Sequence, residues 1–146
     1  MNNFADIDAL IERSSTTADD LLAAGETILE HWLQAKDETP TEDSREGFRL
    51  LALHRQGAKL DPSFNACRET CRELAWHYNL VNESKSEDAE RTLTMMRFVA
   101  RHLWLFVGGK LEQSGLGDFC CSSKPLRQPG IPTEARASDN NARSIG

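Results

Sequence analysis

The segment "FNACRETCRELAWHY", Phe64 to Tyr78, decides how this chain is read. At 100° per residue, Phe64, Cys67, Cys71, Leu74, Tyr78 and Val81 fall within about a 100° arc. That is the apolar seam of an amphipathic helix packed on other helices. Both cysteines lie inside it, where a free thiol behaves as a small hydrophobe. His77 stands off the seam, on its flank.

A competing reading gives Cys67 and Cys71 chemistry, as a metal- or redox-responsive pair with His77 as the nearby histidine. A closed zinc site needs about four ligands, and no second close Cys/His pair lies between residues 1 and 113. An intrahelical disulfide is disfavoured because neighbouring Cβ vectors run nearly parallel. Core packing is therefore the first reading, with no metal and no cofactor assigned. The metal or redox role is the alternative.

Working outward, the rest of the chain also follows helical periodicity, and strand alternation is missing. "NNFADIDALIER" predicts a short N-terminal helix with Phe4, Ile7, Leu10 and Ile11 on one side. Thr17 caps a helix expected over 18–36, with Asp19 and Asp20 in its first turn. Pro40 bars its continuation. A second helix is expected over 46–58, with Phe48, Leu51, His54 and Ala58 on one stripe. "DPSF" opens the third, with Asp61 as N-cap and Pro62 at the first helical position. Ser84 and Glu87 read as a capping box for the last and longest helix, which runs to Glu112. After Gln113 the chain turns rich in Gly, Ser, Pro and Asn, which predicts a disordered tail over 114–146. Cys120 and Cys121 fall in that tail as exposed thiols. The expected fold is all-α: an up-down-up-down four-helix bundle forming one domain over 1–113, with a short N-terminal helix.

Composition narrows the function classes. Hydrophobic residues make up 39% and charged residues 27% of 146, as in ordinary globular proteins. The formal net charge is −6, concentrated in residues 1–40, where nine acids meet only Arg13 and Lys36. An acidic arm on a near-neutral body argues against a nucleic-acid binder, which normally shows a basic face. "MNNFADIDAL" has acids where a secretory signal carries bases. "FVARHLWLFV" is too short and too polar to span a bilayer. These features predict a cytoplasmic location with reduced thiols and no membrane partner.

Histidines 31, 54, 77 and 102 fall one to each long helix, which invites a bundle metal or haem site. Their faces disagree, however, and the residues three before them are Ile28, Leu51, Leu74 and Val99 rather than the glutamates of a di-metal bundle. No nucleophile elbow, phosphate loop or paired catalytic carboxylates can be picked out, so no catalytic residue is assigned and the protein is read as non-enzymatic.

The last helix carries the most information. Ala89, Leu93, Met96, Ala100, Leu103, Trp104, Val107 and Leu111 form its main seam. Met95, Phe98, Leu105 and Phe106 lie round the back, which leaves a narrow polar strip of Glu90, Arg97, Arg101 and Gly108. Trp76 and Leu80 likewise face away from the cysteine seam. A helix apolar on nearly all sides expects burial on nearly all sides. Either the N-terminal helix folds across these surfaces or a partner does. The lead reading is a homodimer, or a complex with another protein, formed through Trp76, Leu80, Met95, Phe98, Leu105 and Phe106. A third, weaker reading is a helix-turn-helix regulator, because Arg55, Lys59, Arg68 and Arg72 cluster around the turn at 59–63. Asp61, Glu69 and Glu73 dilute that charge where phosphates would sit.

Overall fold

The computed structural model describes residues 3–83 and 86–115, and these fold as an all-α protein. A 3₁₀ turn, Phe4–Asp6, leads into α1, Ile7–Glu12. The long helices are α2, Ala18–Ala35; α3, Arg49–Leu60; α4, Arg68–Glu83; and α5, Ser86–Gln113. The capping box predicted at residue 84, the tail beyond residue 115 and Cys120 and Cys121 lie outside the described residues.

Each boundary has a local cause. The Thr17 hydroxyl accepts from the Asp20 N–H while the Asp20 carboxylate accepts from the Thr17 N–H, closing a capping box at the start of α2. Asp61 accepts from the Ser63 N–H at 3.1 Å, as its place before Pro62 predicts. The turn after Pro62 stays 3₁₀ as far as Cys67, and α-helical bonding begins only at Arg68.

The start of α3 differs from expectation. Residues 46–48 are not helical. Arg45 and Phe48 exchange both main-chain hydrogen bonds at 2.9 Å, around Glu46 (φ 55°) and Gly47 (φ 86°). Two left-handed central residues make this a primed turn of the hairpin kind. Gly47 adopts that conformation without penalty, and Glu46 does not. Phe48 therefore leaves the stripe expected of it and sits half-buried, edge-on to Tyr78.

The core is one cluster shared by all the helices. α2 packs on α3, α4 and α5, while α4 also packs on α3 and α5. Where α2 meets α4, Gly25 allows the approach: a Cβ there would stand 2.6 Å from Leu74 Cδ2 and 3.1 Å from Leu50 Cδ1. Phe64 is the central wedge. It stacks on Trp32 at 5.2 Å, on His54 at 5.5 Å and against Phe106 at 6.0 Å. Gly57 faces the same ring, and a Cβ there would meet Phe64 at 2.9 Å.

Candidate functional site

Two features of the sequence reading can be located directly: the thiol pair with its histidine, and the apolar surplus of α5.

Cys67 and Cys71 are free, and both are buried in the seam of α4 and the turn before it. The histidine beside Cys67 is His54 of α3. His77 instead places its Nδ1 2.7 Å from the Glu73 carbonyl on its own helix, away from the thiols. His54 Nε2 lies 3.1 Å from the Phe64 carbonyl, and the Cys67 thiol donates to the same oxygen at 3.3 Å. A carbonyl only accepts, so this contact requires the proton on Nε2. Sequence spacing missed the pairing because it joins residues on different elements through a main-chain carbonyl, which has no signature in the sequence.

The two thiols do not share one acidity. Cys71 donates to Cys67, and this, opposed by burial and helped by His54, brings the Cys67 thiol down to about 6. The same hydrogen bond, with burial, pushes Cys71 well up. Cys67 is thus the more acidic of the two thiols, and both are buried. Among the described residues no group of three or more His, Cys, Asp or Glu side chains is arranged to hold a metal ion. The four histidines stay apart. His31 packs edge-on to Phe4 at 5.6 Å, and His102 is exposed on α5.

On α5 the main seam is covered from Met96 onward, where Met96, Ala100, Leu103, Trp104, Val107 and Leu111 are buried, while Ala89 and Leu93 are half-buried. The N-terminal segment does fold across α5, but over its polar strip and Trp104 at the edge of the main seam rather than over its back. Arg97 donates to the carbonyls of Ile11 at 3.0 Å and Arg13 at 2.9 Å. Arg101 pairs with Glu12 at 3.1 Å and Asp8 at 3.5 Å. The Trp104 indole N–H donates to the Phe4 carbonyl at 2.8 Å, with the two rings stacked.

The back of α5 stays bare. Phe98 is 64% exposed, and Met95 and Leu105 are each 48% exposed. Phe98 and Leu105 are seven residues apart, so they stand within about 20° of one another on the helix surface. Trp76 on α4 is 60% exposed, above a shallow groove floored by Phe48, Leu51 and Ala75. Of the six interface residues expected from sequence, Leu80 and Phe106 are half-buried instead, Phe106 because it closes over Phe64. No helix of the described residues is long and apolar enough to cross a membrane.

Comparison of the chain with protein-family models, with curated proteins and with solved structures finds no match in any of the three. The physical features of the molecule therefore carry the functional reading.

Proposed function

We propose that this protein works by binding protein through the bare face of α5, pairing with a second copy of itself. One observation carries the reading: Met95, Phe98 and Leu105 line one face of a single rigid helix and remain exposed after the chain has used its own N-terminal segment elsewhere. Large apolar side chains grouped on one face are a common mark of an interaction surface. A two-fold axis brings identical patches together, and one straight helix makes such a patch self-complementary when it lies against its copy.

The size of the patch sets the strength. From Met95 to Leu105 the stripe runs about 15 Å along the helix, whereas a standard stable interface buries about 800 Å² on each partner. Three side chains and their polar borders fall at the low end of that range, which supports a reversible dimer with a Kd on the order of micromolar.

Sedimentation velocity over a concentration series tests this. The expected result is a concentration-dependent shift from monomer to dimer, abolished in a Phe98→Asp, Leu105→Asp double variant of unchanged helicity. Both side chains face solvent, so the variant has no reason to misfold. A monomer at every concentration up to roughly a hundred micromolar, well above such a Kd, overturns the reading.

A further inference from the structure

The chain is acidic overall, yet its α3–α4 surface holds a cavity of about 310 Å³ lined by five cations and one carboxylate, Glu46. Arg55 and Lys59 are spaced i, i+4 on α3, Arg68 and Arg72 are spaced i, i+4 on α4, and Arg45 comes from the turn between α2 and α3. Like charges at that spacing destabilise a helix, so two such pairs facing one hollow oppose folding.

Elsewhere the described arginines are mostly neutralised. Arg49 meets Glu26, Glu30 and Glu42, Arg101 meets Asp8 and Glu12, and Arg97 is spent on main-chain carbonyls. Around the cavity, Arg68 pairs with exposed Glu69 and Arg72 with Glu46, while Arg45, Arg55 and Lys59 make no ion pair among the described residues. Among the described residues, Arg55 and Lys59 are left without an acidic partner, and Arg45 has only Glu46, which Arg72 already clamps.

The walls are also built. Glu46 accepts from both arms of the Arg72 guanidinium at 3.1 Å, a bidentate clamp that ties the 45–48 turn to α4. Glu46 is held in a left-handed conformation, a backbone strain that persists only where its surroundings enforce it. The clamp sets Arg45 at the edge of the cavity. Buried His54 lines the floor with its imidazole fixed on the Phe64 carbonyl.

We infer that this cavity binds the phosphate of a small phosphomonoester, with Arg55 and Lys59 as the principal contacts and Arg45, Arg68 and Arg72 completing the cationic wall. A volume of about 310 Å³ lies at the small end of ligand pockets, enough for a phosphate with a short organic group. Guanidinium forks suit phosphate oxygens, and a lysine adds a compact charge beside them. The site is concave, which favours a compact ligand over duplex DNA, whose contacts spread along a protruding helix. It does not depend on self-association, since α5 contributes nothing to its lining.

Titration calorimetry on the full chain in low-salt buffer tests the inference, using inorganic phosphate, glycerol 3-phosphate, glycerol and a short DNA duplex. We expect saturable 1:1 binding of phosphate and glycerol 3-phosphate, none of glycerol, and weakening as salt rises. An Arg55→Gln, Lys59→Gln double variant should lose about tenfold or more in affinity at unchanged helicity, because two charge-assisted contacts go. Arg91→Gln, at an exposed site on α5, should lose nothing. As a readout on the unaltered chain, phosphate should shift the arginine side-chain resonances of Arg55, Arg68 and Arg72 but not that of Arg91. Absence of saturable phosphate binding, equal loss in the Arg91 variant, uniform shifts across all arginines, or tighter binding of the duplex than of glycerol 3-phosphate would each overturn it.

Discussion

On one side of α5, Arg97, Arg101 and Trp104 lie under the N-terminal segment; on the other, Met95, Phe98 and Leu105 face water. By hydropathy alone the cover belongs on the second side. The N-terminal segment goes to the first because there Phe4, Ile7 and Ile11 join the core while its backbone also finds donors. α1 is only six residues long, so most of its carbonyls have no helical partner. Arg97 supplies two donors to that end, and Arg101 meets the carboxylates of Asp8 and Glu12. A short helix ends where its carbonyls are answered, and here the answer comes from arginine. The acidic character of the first forty residues is therefore partly internal, used to dock α1 rather than held out for a basic partner.

The strongest way to break this asymmetry is truncation on the covered side. Trp104 is buried, stacked on Phe4 and bonded to its carbonyl, so Trp104→Ala should cost about 3–5 kcal/mol in denaturant unfolding. Phe98→Ala on the bare side should change monomer stability by no more than about 0.5 kcal/mol. If the two losses proved similar, the bare face would have to be buried within the protomer.

Arg97→Ala sharpens the comparison, because it removes the donors and leaves the apolar contacts in place. The carbonyls of Ile11 and Arg13 lose a charged partner, which should cost about 1–3 kcal/mol. The loss should be local. Hydrogen exchange should accelerate in α1 and leave the centre of α2 protected. Equal acceleration throughout would mean that the N-terminal segment is an integral part of the global folding unit.

A third substitution examines the wedge beneath α5. Gly57→Ala brings a methyl against the Phe64 ring, which is held between Trp32, His54 and Phe106 and has no direction in which to yield. Overpacking of about 1–3 kcal/mol is offset by about 1 kcal/mol of helix propensity. The net should be a modest destabilisation, read as a lowered denaturation midpoint at unchanged slope.

Much of this was legible in the chain. The seam of α5 from Met96 onward and the cysteine seam from Phe64 to Leu74 are buried as their spacing requires, whereas Tyr78, Val81, Ala89 and Leu93 are half-buried, and Thr17 and Asp61 cap where their residue types place them. What escaped were contacts without a local signature. Arg97 reaches Ile11 across 86 positions, toward main-chain atoms that every residue possesses. The nearby histidine proved to be His54 rather than His77, since periodicity fixes the face of one helix but not which neighbour that face meets. Arg55, Lys59, Arg68 and Arg72 could be seen as a basic cluster, but not that two helices and a turn fold them into a hollow. The turn itself was hidden because Glu46, an ordinary helix former, adopts a left-handed conformation.

The smallest expected effect tests whether charge as well as burial holds the far end of α5. Lys110 pairs with Asp61 at 3.1 Å, next to the turn that opens toward α4. The Ser63 hydroxyl and then Lys110 hydrogen-bond the Asp61 carboxylate and bring it down to about 2, against an ordinary value of 3.8. A carboxyl whose folded value is depressed stabilises the fold above its unfolded value. That contribution fades as pH falls from near 4 and is gone below about 2. Asp61→Asn should therefore lower the melting temperature slightly at pH 7, and the gap between variant and parent should close as pH falls through that window. A gap of the same size at pH 7 and pH 2 would show that Asp61 acts only as a cap, through a hydrogen bond that asparagine keeps imperfectly. α5 would then be held at that end chiefly by the burial of Val107 and Leu111 and by Phe106 against Phe64.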